Sequence, residues 1–285
     1  MGWWLWRCWL YTSNTPSITP RKKNSLQSTD NRQLITQTKV VTKADFQLVR
    51  SLADKQARTT HGLFVAEGDK LVGEIASDGR YSIARLFVTE GSKVSHPRAE
   101  VVTAKEMERL TMLKSAPRSL ALVAIPERRL PTPSEKELIL CLDEVQDPGN
   151  LGTIIRTADW YGVRHIVCSP TTADCWSPKV VQATMGALLR VEVSYGNLDE
   201  WLGAVAARGV EIYATTLDGE DIHTAPITAG GVVVMGNEGR GVSPQVLSMV
   251  SQRLFIPPFP ANRRGSESLN VAIATAIALE NFRNI

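Results

Sequence analysis

Cysteine and histidine are both scarce, with four of each in 285 residues. The cysteines, Cys8, Cys141, Cys168 and Cys175, form no CxxC pair and have no histidines nearby at zinc-ligand spacing. Neither a metal site nor a disulfide framework is therefore expected, and a reducing cytoplasm is the default location. Long hydrophobic runs are missing too. The opening stretch WWLWRCWLY (Trp3 to Tyr11) is apolar, but it is too short to span a bilayer and has no small-residue cleavage site, so no membrane partner is expected. A strong charge of one sign is also absent. The net charge of +3 favours a polyanionic partner only weakly, because steering depends on where charge lies. It lies near the start: Arg21, Lys22, Lys23, Arg32, Lys39, Lys43, Arg50, Lys55 and Arg58 face only Asp30, Asp45 and Asp54 between Arg21 and Arg58.

A hydrophobic share of 43% with 21% charged residues describes a globular chain, and the length suggests two domains. Thr12 to Gln37 is rich in Ser, Thr, Pro, Asn, Gln and Lys and has little to bury. Residues 1–39 are therefore expected to be a disordered extension ahead of a fold beginning near Val40. From Ala44 the run ADFQLVRSLADKQART places Phe46, Val49, Leu52 and Ala53 on one face and basic residues on the other, predicting one amphipathic helix. Strand-like GLFVAEG, a helix over 69–76, strand-like ARLFVTE, a helix near 104–113 and the strand SLALVAIPE follow, which predicts a small α/β layer over 40–127. Pro131 and Pro133 mark 128–136 as a linker. Over 137–285 the alternation resumes with longer apolar strands, LILCLDEV, HIVCS, EIYATTL, GVVVMG and RLFIP. Such continuous runs are buried on both faces, as in a parallel sheet.

Three segments of this second domain begin where an apolar strand ends, the place where open parallel sheets bind ligands. In DEVQDPGNLGTIIRTADWYG (Asp143 to Gly162), Asn150 sits where it could cap a helix carrying Arg156. In VVVMGNEGRGVS (Val232 to Ser243), a strand empties into a glycine-rich turn. Its Gly236 and Gly241 are spaced as in GxxxxGK[ST], but Val242 replaces the lysine, which argues against nucleotide hydrolysis. The order GxxGxG also fails the dinucleotide fingerprint, which disfavours a nucleotide-dependent oxidoreductase. In RLFIPPFPANRRGSESLNVAIATAIALENF (Arg253 to Phe282), a loop rich in proline and arginine follows Ile256, and Ser268 is placed to cap an apolar final helix beginning near Asn270.

Together DPGNLGTIIRTA, MGNEGRGVS and IPPF followed by SLNVAIATAI resemble, in this order, the signature set of the SpoU (TrmH-type) family of RNA 2'-O-ribose methyltransferases within the SPOUT class. The resemblance covers roughly Leu138 to Phe282. The upstream domain resembles the family's substrate-binding domain, a ribosomal-protein-type RNA-binding fold. The resemblance implies an α/β fold whose C-terminal parallel-sheet domain closes in a trefoil knot, and S-adenosylmethionine as cofactor. By position, main-chain groups around Thr216, Leu217, Gly236, Ile256 and Leu269 would hold that cofactor. The loop between Ile256 and Ser268, with Arg263 and Arg264, is longer than in many relatives.

The same resemblance assigns catalysis to Asn150, Arg156, Glu238, Ser268 and Asn270. Asn150 and Asn270 would orient Arg156 and the ribose, Glu238 would join the hydrogen-bond network, and Ser268 would shape the cofactor loop. Arg156 is the family's candidate for acting on the 2'-hydroxyl. A guanidinium gives up its proton reluctantly, so alkoxide stabilisation and phosphate anchoring suit it better than a base's role. The implied partners are rRNA or tRNA and a second copy of the chain. Two alternatives remain open from sequence: a knotted methyltransferase acting on a base nitrogen, and an RNA-binding protein that has lost catalysis.

Overall fold

Thr42 opens the first helix with a capping box: its side chain accepts from the Asp45 amide while the Asp45 carboxylate answers its backbone N–H. The computed structural model describes residues 41–260 and 268–284, all within one compact unit. The opening apolar run, the polar stretch, Cys8, Arg263 and Arg264 lie outside the described residues.

The single helix expected from Ala44 is two helices, α1 (Lys43–Ser51) and α2 (Lys55–His61). Asp54 adopts an extended backbone and accepts from the Gln56 and Ala57 amides, a second N-cap inside a pattern whose apolar period runs on unbroken. Then come β1 (Leu63–Glu67), α3 (Asp69–Ser77), β2 (Ile83–Val88), β3 (Ala99–Val101), α4 (Ala104–Leu110) and β4 (Ser119–Ala124). They form a mixed sheet of order β1-β4-β2-β3, in which only β2 and β3 run parallel. β3 escaped the sequence reading because three half-buried residues carry no alternation.

The second layer contains β5 (Leu138–Leu142), α5 (Pro148–Trp160), β6 (His165–Cys168), α6 (Pro178–Ala183), β7 (Glu192–Tyr195), α7 (Leu198–Ala206), β8 (Ile212–Asp221), β9 (Gly231–Met235), α8 (Pro244–Leu247), β10 (Gln252–Phe255) and α9 (Val271–Arg283). Its six strands are all parallel, in the order β10-β8-β9-β5-β6-β7. β7, absent from the expected set, is an edge strand with two half-buried ends. The apolar runs behave as expected of a sheet covered on both sides. Along β5, Leu138, Leu140 and Leu142 enter one core cluster with α5, α6 and α9, while Ile139 and Cys141 enter another with α7 and α8.

The first of those clusters is continuous with one face of the small sheet, through Phe64 and Val123, and with α3, through Val72 and Ile75. The Phe64 and Trp176 rings meet at 4.7 Å between centroids. Arg58 of α2 reaches Asp174, in the loop after β6, at 2.6 Å. The segment 128–136 has no helix or strand, in keeping with its prolines, yet it is tethered along the β7 side. The Ser194 hydroxyl donates to the Arg129 carbonyl, and the Trp201 indole N–H donates to that of Pro131.

Candidate active site

The C-terminal ends of β5, β9, β8 and β10 lie side by side, and the three sequence motifs leave from three of them. The first passes from β5 into α5. Its N-cap is Asp147, not Asn150: the Asp147 carboxylate accepts from the Asn150 amide at 2.8 Å, and Pro148 occupies the first helical position. Asn150 therefore stands inside the first turn with its side chain uncommitted to capping. Close packing against α6 fixes where α5 runs, since a Cβ on Gly152 would fall 2.4 Å from that of Ala183.

The third motif also caps differently from expectation. Asn270, not Ser268, is the N-cap of α9, accepting from the Ala272 and Ile273 amides at 2.9 and 3.4 Å. Ser268 is exposed and makes no hydrogen bond among the described residues. This cap has a chemical consequence. Because the Asn270 oxygen faces the helix amides, its Nδ2 must point away, and it donates to Asn150 Oδ1 at 3.0 Å. The Asn150 amide is thereby oriented in turn, and its Nδ2 donates to Glu238 Oε1 at 2.8 Å. A helix cap thus sets the direction of a relay that joins residues 120 and 88 positions apart in sequence.

Glu238 belongs to the glycine turn after β9. Asn237 and Gly241 exchange two backbone hydrogen bonds, and the Asn237 side chain accepts from the Gly239 and Arg240 amides. Gly236 is required by contact: a Cβ there would lie 2.3 Å from the Gly241 and Val242 backbone. The turn is locked to the β5–α5 loop. Asn237 Nδ2 donates to the Glu144 carbonyl, Arg240 pairs with the Glu144 carboxylate, and the Ser243 amide donates to Asp143 at 2.7 Å. Glu144 itself holds a φ of 60°, a conformation that costs a side-chain-bearing residue about 1–3 kcal/mol and persists only when its surroundings over-determine it.

Arg156 is exposed on α5, about 9 Å along the axis from Asn150 and about 120° around it. Among the described residues neither Asn150 nor Asn270 bonds to it, so the structure brings together Asn150, Glu238 and Asn270 but leaves Arg156 outside the relay. The residues expected around a cofactor lie on adjacent strand ends. β10 pairs with β8 up to Arg253 opposite Ala214 and resumes at Leu254 opposite Glu220, so residues 215–219 leave the ladder. Gly219 returns it, since any Cβ would lie within 2.7 Å of the Arg253 and Leu254 backbone. Thr216 and Leu217 occupy this excursion, Leu217 being 69% exposed. Thr216 Oγ1 is buried and makes no hydrogen bond of ordinary geometry. The Thr216 hydroxyl, and with it Arg253, nonetheless holds the exposed Asp218 carboxyl below its usual range. Gly236 follows β9, half-buried Ile256 follows β10, and exposed Leu269 precedes α9.

The thiols Cys141, Cys168 and Cys175 are all buried. Burial, with the nearby Asp174 charge, pushes that of Cys175 up to about 12, and burial raises the other two. A thiolate nucleophile is therefore unavailable from these three. Among the described residues no group of three or more metal-ligating side chains gathers, and no helix is long and apolar enough to cross a membrane. Glu144, Asn237, Arg240 and Asp147 were missed in the sequence. Two of them carried a signal: Asn237, an Asn two residues before Gly that favours a side-chain-closed turn, and Asp147, an Asp before Pro that marks a helix start.

Residues 137–280 match the SpoU rRNA Methylase family. The chain belongs to that family. Over 82% of its length this SpoU methylase is 30% identical to the 23S rRNA (guanosine(2553)-2'-O)-methyltransferase RlmP of Bacillus subtilis, of which it covers 94%. The likeness therefore extends past the three motifs into the small sheet. A TrmH-family protein from Porphyromonas gingivalis superposes with a TM-score of 0.78 at 38% identity, over 86% of the methylase and 99% of that chain. An AdoMet-bound rRNA methyltransferase from Sinorhizobium meliloti superposes at 0.73 with 30% identity, over 86% and 97%.

Proposed function

We propose that this SpoU methylase transfers the methyl group of S-adenosylmethionine to a ribose 2'-hydroxyl of ribosomal RNA, at the junction of the β5–α5 loop, the glycine turn and the start of α9. The observation that carries the reading is the relay from Asn270 through Asn150 to Glu238, which ties the three motifs into one polar constellation. Two relatives are named for a 23S rRNA ribose at a stated position, a guanosine in one and a uridine in the other.

The strand ends fit the cofactor. Thr216 Oγ1 is a buried hydroxyl with no hydrogen bond of ordinary geometry, although it acts on the exposed Asp218 carboxyl, and it sits in an excursion that exposes Leu217 beside the turn at Gly236. Thr216, Leu217, Gly236, Ile256 and Leu269 would hold the group through main-chain and apolar contacts. When bound, S-adenosylmethionine supplies a methyl made electrophilic by its sulfonium. That methyl would pass to the 2'-oxygen with S-adenosylhomocysteine as the leaving group and the hydroxyl proton released to water. Arg156 meets the developing alkoxide and an adjoining phosphate as a forked hydrogen-bond donor, because a guanidinium carries five N–H groups and no acceptor. Asn150 and Asn270 hold the ribose edge, Glu238 anchors the Asn150 amide, and Ser268 shapes the entry of α9.

The small sheet and its helices, residues 41–127, serve as the RNA-binding domain, with Lys43, Arg50 and Lys55 exposed on α1 and α2. The C-terminal segments thread as a trefoil knot, and two copies pair in the cytoplasm through the exposed Trp160 of α5 and Ile273 of the neighbouring α9. Light scattering checks the pairing.

The decisive assay follows label from S-adenosylmethionine into unmodified 23S rRNA transcript and, separately, total tRNA, with nucleoside analysis after digestion. Label in a 2'-O-methyl nucleoside of the rRNA supports the reading. Label on a base moves the methylase to the base-nitrogen alternative, and binding of the cofactor and rRNA without label on any RNA favours the non-catalytic one.

Asn270→Asp separates capping from the relay. The carboxylate keeps the cap, worth about 1 kcal/mol, but cannot donate to Asn150 Oδ1. Thermal stability is expected to hold within a few degrees while kcat falls by about tenfold or more. Equal losses in both would sink the relay as a functional element.

A further inference from the structure

An exposed arginine in the glycine turn is only partly used. Arg240, two residues after Glu238, has a 67% exposed side chain and gives one nitrogen, Nη2, to Glu144 Oε2. Some guanidiniums of the fold are engaged at every nitrogen, whereas Arg118 and Arg253, like Arg240, use one. Arg58, Arg85 and Arg190 each engage Nε, Nη1 and Nη2. Among the described residues Arg240 leaves Nε and Nη1 uncommitted beside the relay.

Its acceptor is the fixed member of the pair. Glu144 has a carboxylate only 29% exposed, its amide donates to Ser169 Oγ, its carbonyl accepts from Asn237, and Thr171 donates to its other oxygen. A rigid carboxylate thus holds a long cation at the rim of the site. Exposed pairs of this kind contribute about 0.2–1 kcal/mol, too little to keep a guanidinium from a better acceptor. A phosphodiester is such an acceptor, since it offers two oxygens matching the arginine fork.

We propose that Arg240 is an RNA-phosphate ligand parked on Glu144: the guanidinium leaves the carboxylate when RNA enters, and binds a backbone phosphate close to the target nucleotide. Glu144 competes with the RNA for it. The inference rests on the reading of this chain as an RNA methyltransferase, and it assigns opposite effects to the two partners of one ion pair.

The test measures binding of unmodified 23S rRNA transcript by the full chain across a salt series, together with KM and kcat for methyl transfer. Arg240→Ala is expected to weaken binding about fivefold at 0.1 M salt and to lower the slope of log K against log salt by about 0.7–0.9, the value of one phosphate contact. KM rises while kcat changes little. Arg240→Lys keeps the slope. Glu144→Gln is expected to tighten binding about threefold, because removing the competing charge frees the cation.

An unchanged slope in Arg240→Ala overturns the proposal, and so does weakening in Glu144→Gln, which would make the pair a structural latch. Failure of the underlying reading looks different: the unsubstituted chain would then transfer no methyl group to RNA, whatever the variants do.

Discussion

Arg156→Ala lowers kcat for methyl transfer by at least about 10²–10³-fold and leaves the affinity for S-adenosylmethionine within about twofold. The first figure is the loss that follows removal of one preorganised donor aimed at a developing oxyanion. The second follows from placement: Arg156 is on α5, while the proposed cofactor residues belong to the ends of β8, β9 and β10 and the entry to α9. Among the described residues the arginine holds nothing else in place, so its removal is not expected to unfold the chain. Single-turnover kinetics measure the first quantity and titration calorimetry the second. Retained turnover would remove Arg156 from the chemistry, and lost cofactor binding would make it part of the cofactor site.

Arg58→Ala destabilises the fold by about 3–5 kcal/mol, the range for breaking a buried ion pair by removing one partner. Its side chain is 4% exposed. It donates to the Leu52 and Ala53 carbonyls at 2.7 and 2.8 Å, and through Nε and Nη2 to Asp174 at 3.0 and 2.6 Å. The variant therefore strands a mostly buried carboxylate and two carbonyls at the seam between the two sheets. A lowering of the melting midpoint by about 10 °C is expected. Arg58→Ala with Asp174→Ala recovers part of the loss, because no charge is left unpaired. Denaturant unfolding decides it: a double variant no better than the single one would show that the carbonyl contacts, not the ion pair, carry the stability.

Much of the chemistry was legible because it is written in residue type and order. Strand ends followed by DPGN, GNEG and SLN put Asn150, Glu238 and Asn270 on the page before any geometry did. The two misassigned caps have a common cause. Asp147, Asn150, Ser268 and Asn270 are all good capping residues, and a helix start is decided by which backbone leaves the helical region, not by which side chain is able to cap. The split between α1 and α2 was hidden for the same reason, since Asp54 fits the polar face of an unbroken helix equally well.

The sequence by itself determined the class of fold, the double-sided burial of β5 and β9, and the family, because apolar periodicity and contiguous motifs are local properties of the chain. Only the tertiary structure decided how the site is wired. The relay joins residues from three strand ends, Glu144 meets Arg240 across 96 positions, and Arg58 meets Asp174 across 116. Contacts at such separations depend on strand order and on the angle of each loop, which no local pattern encodes.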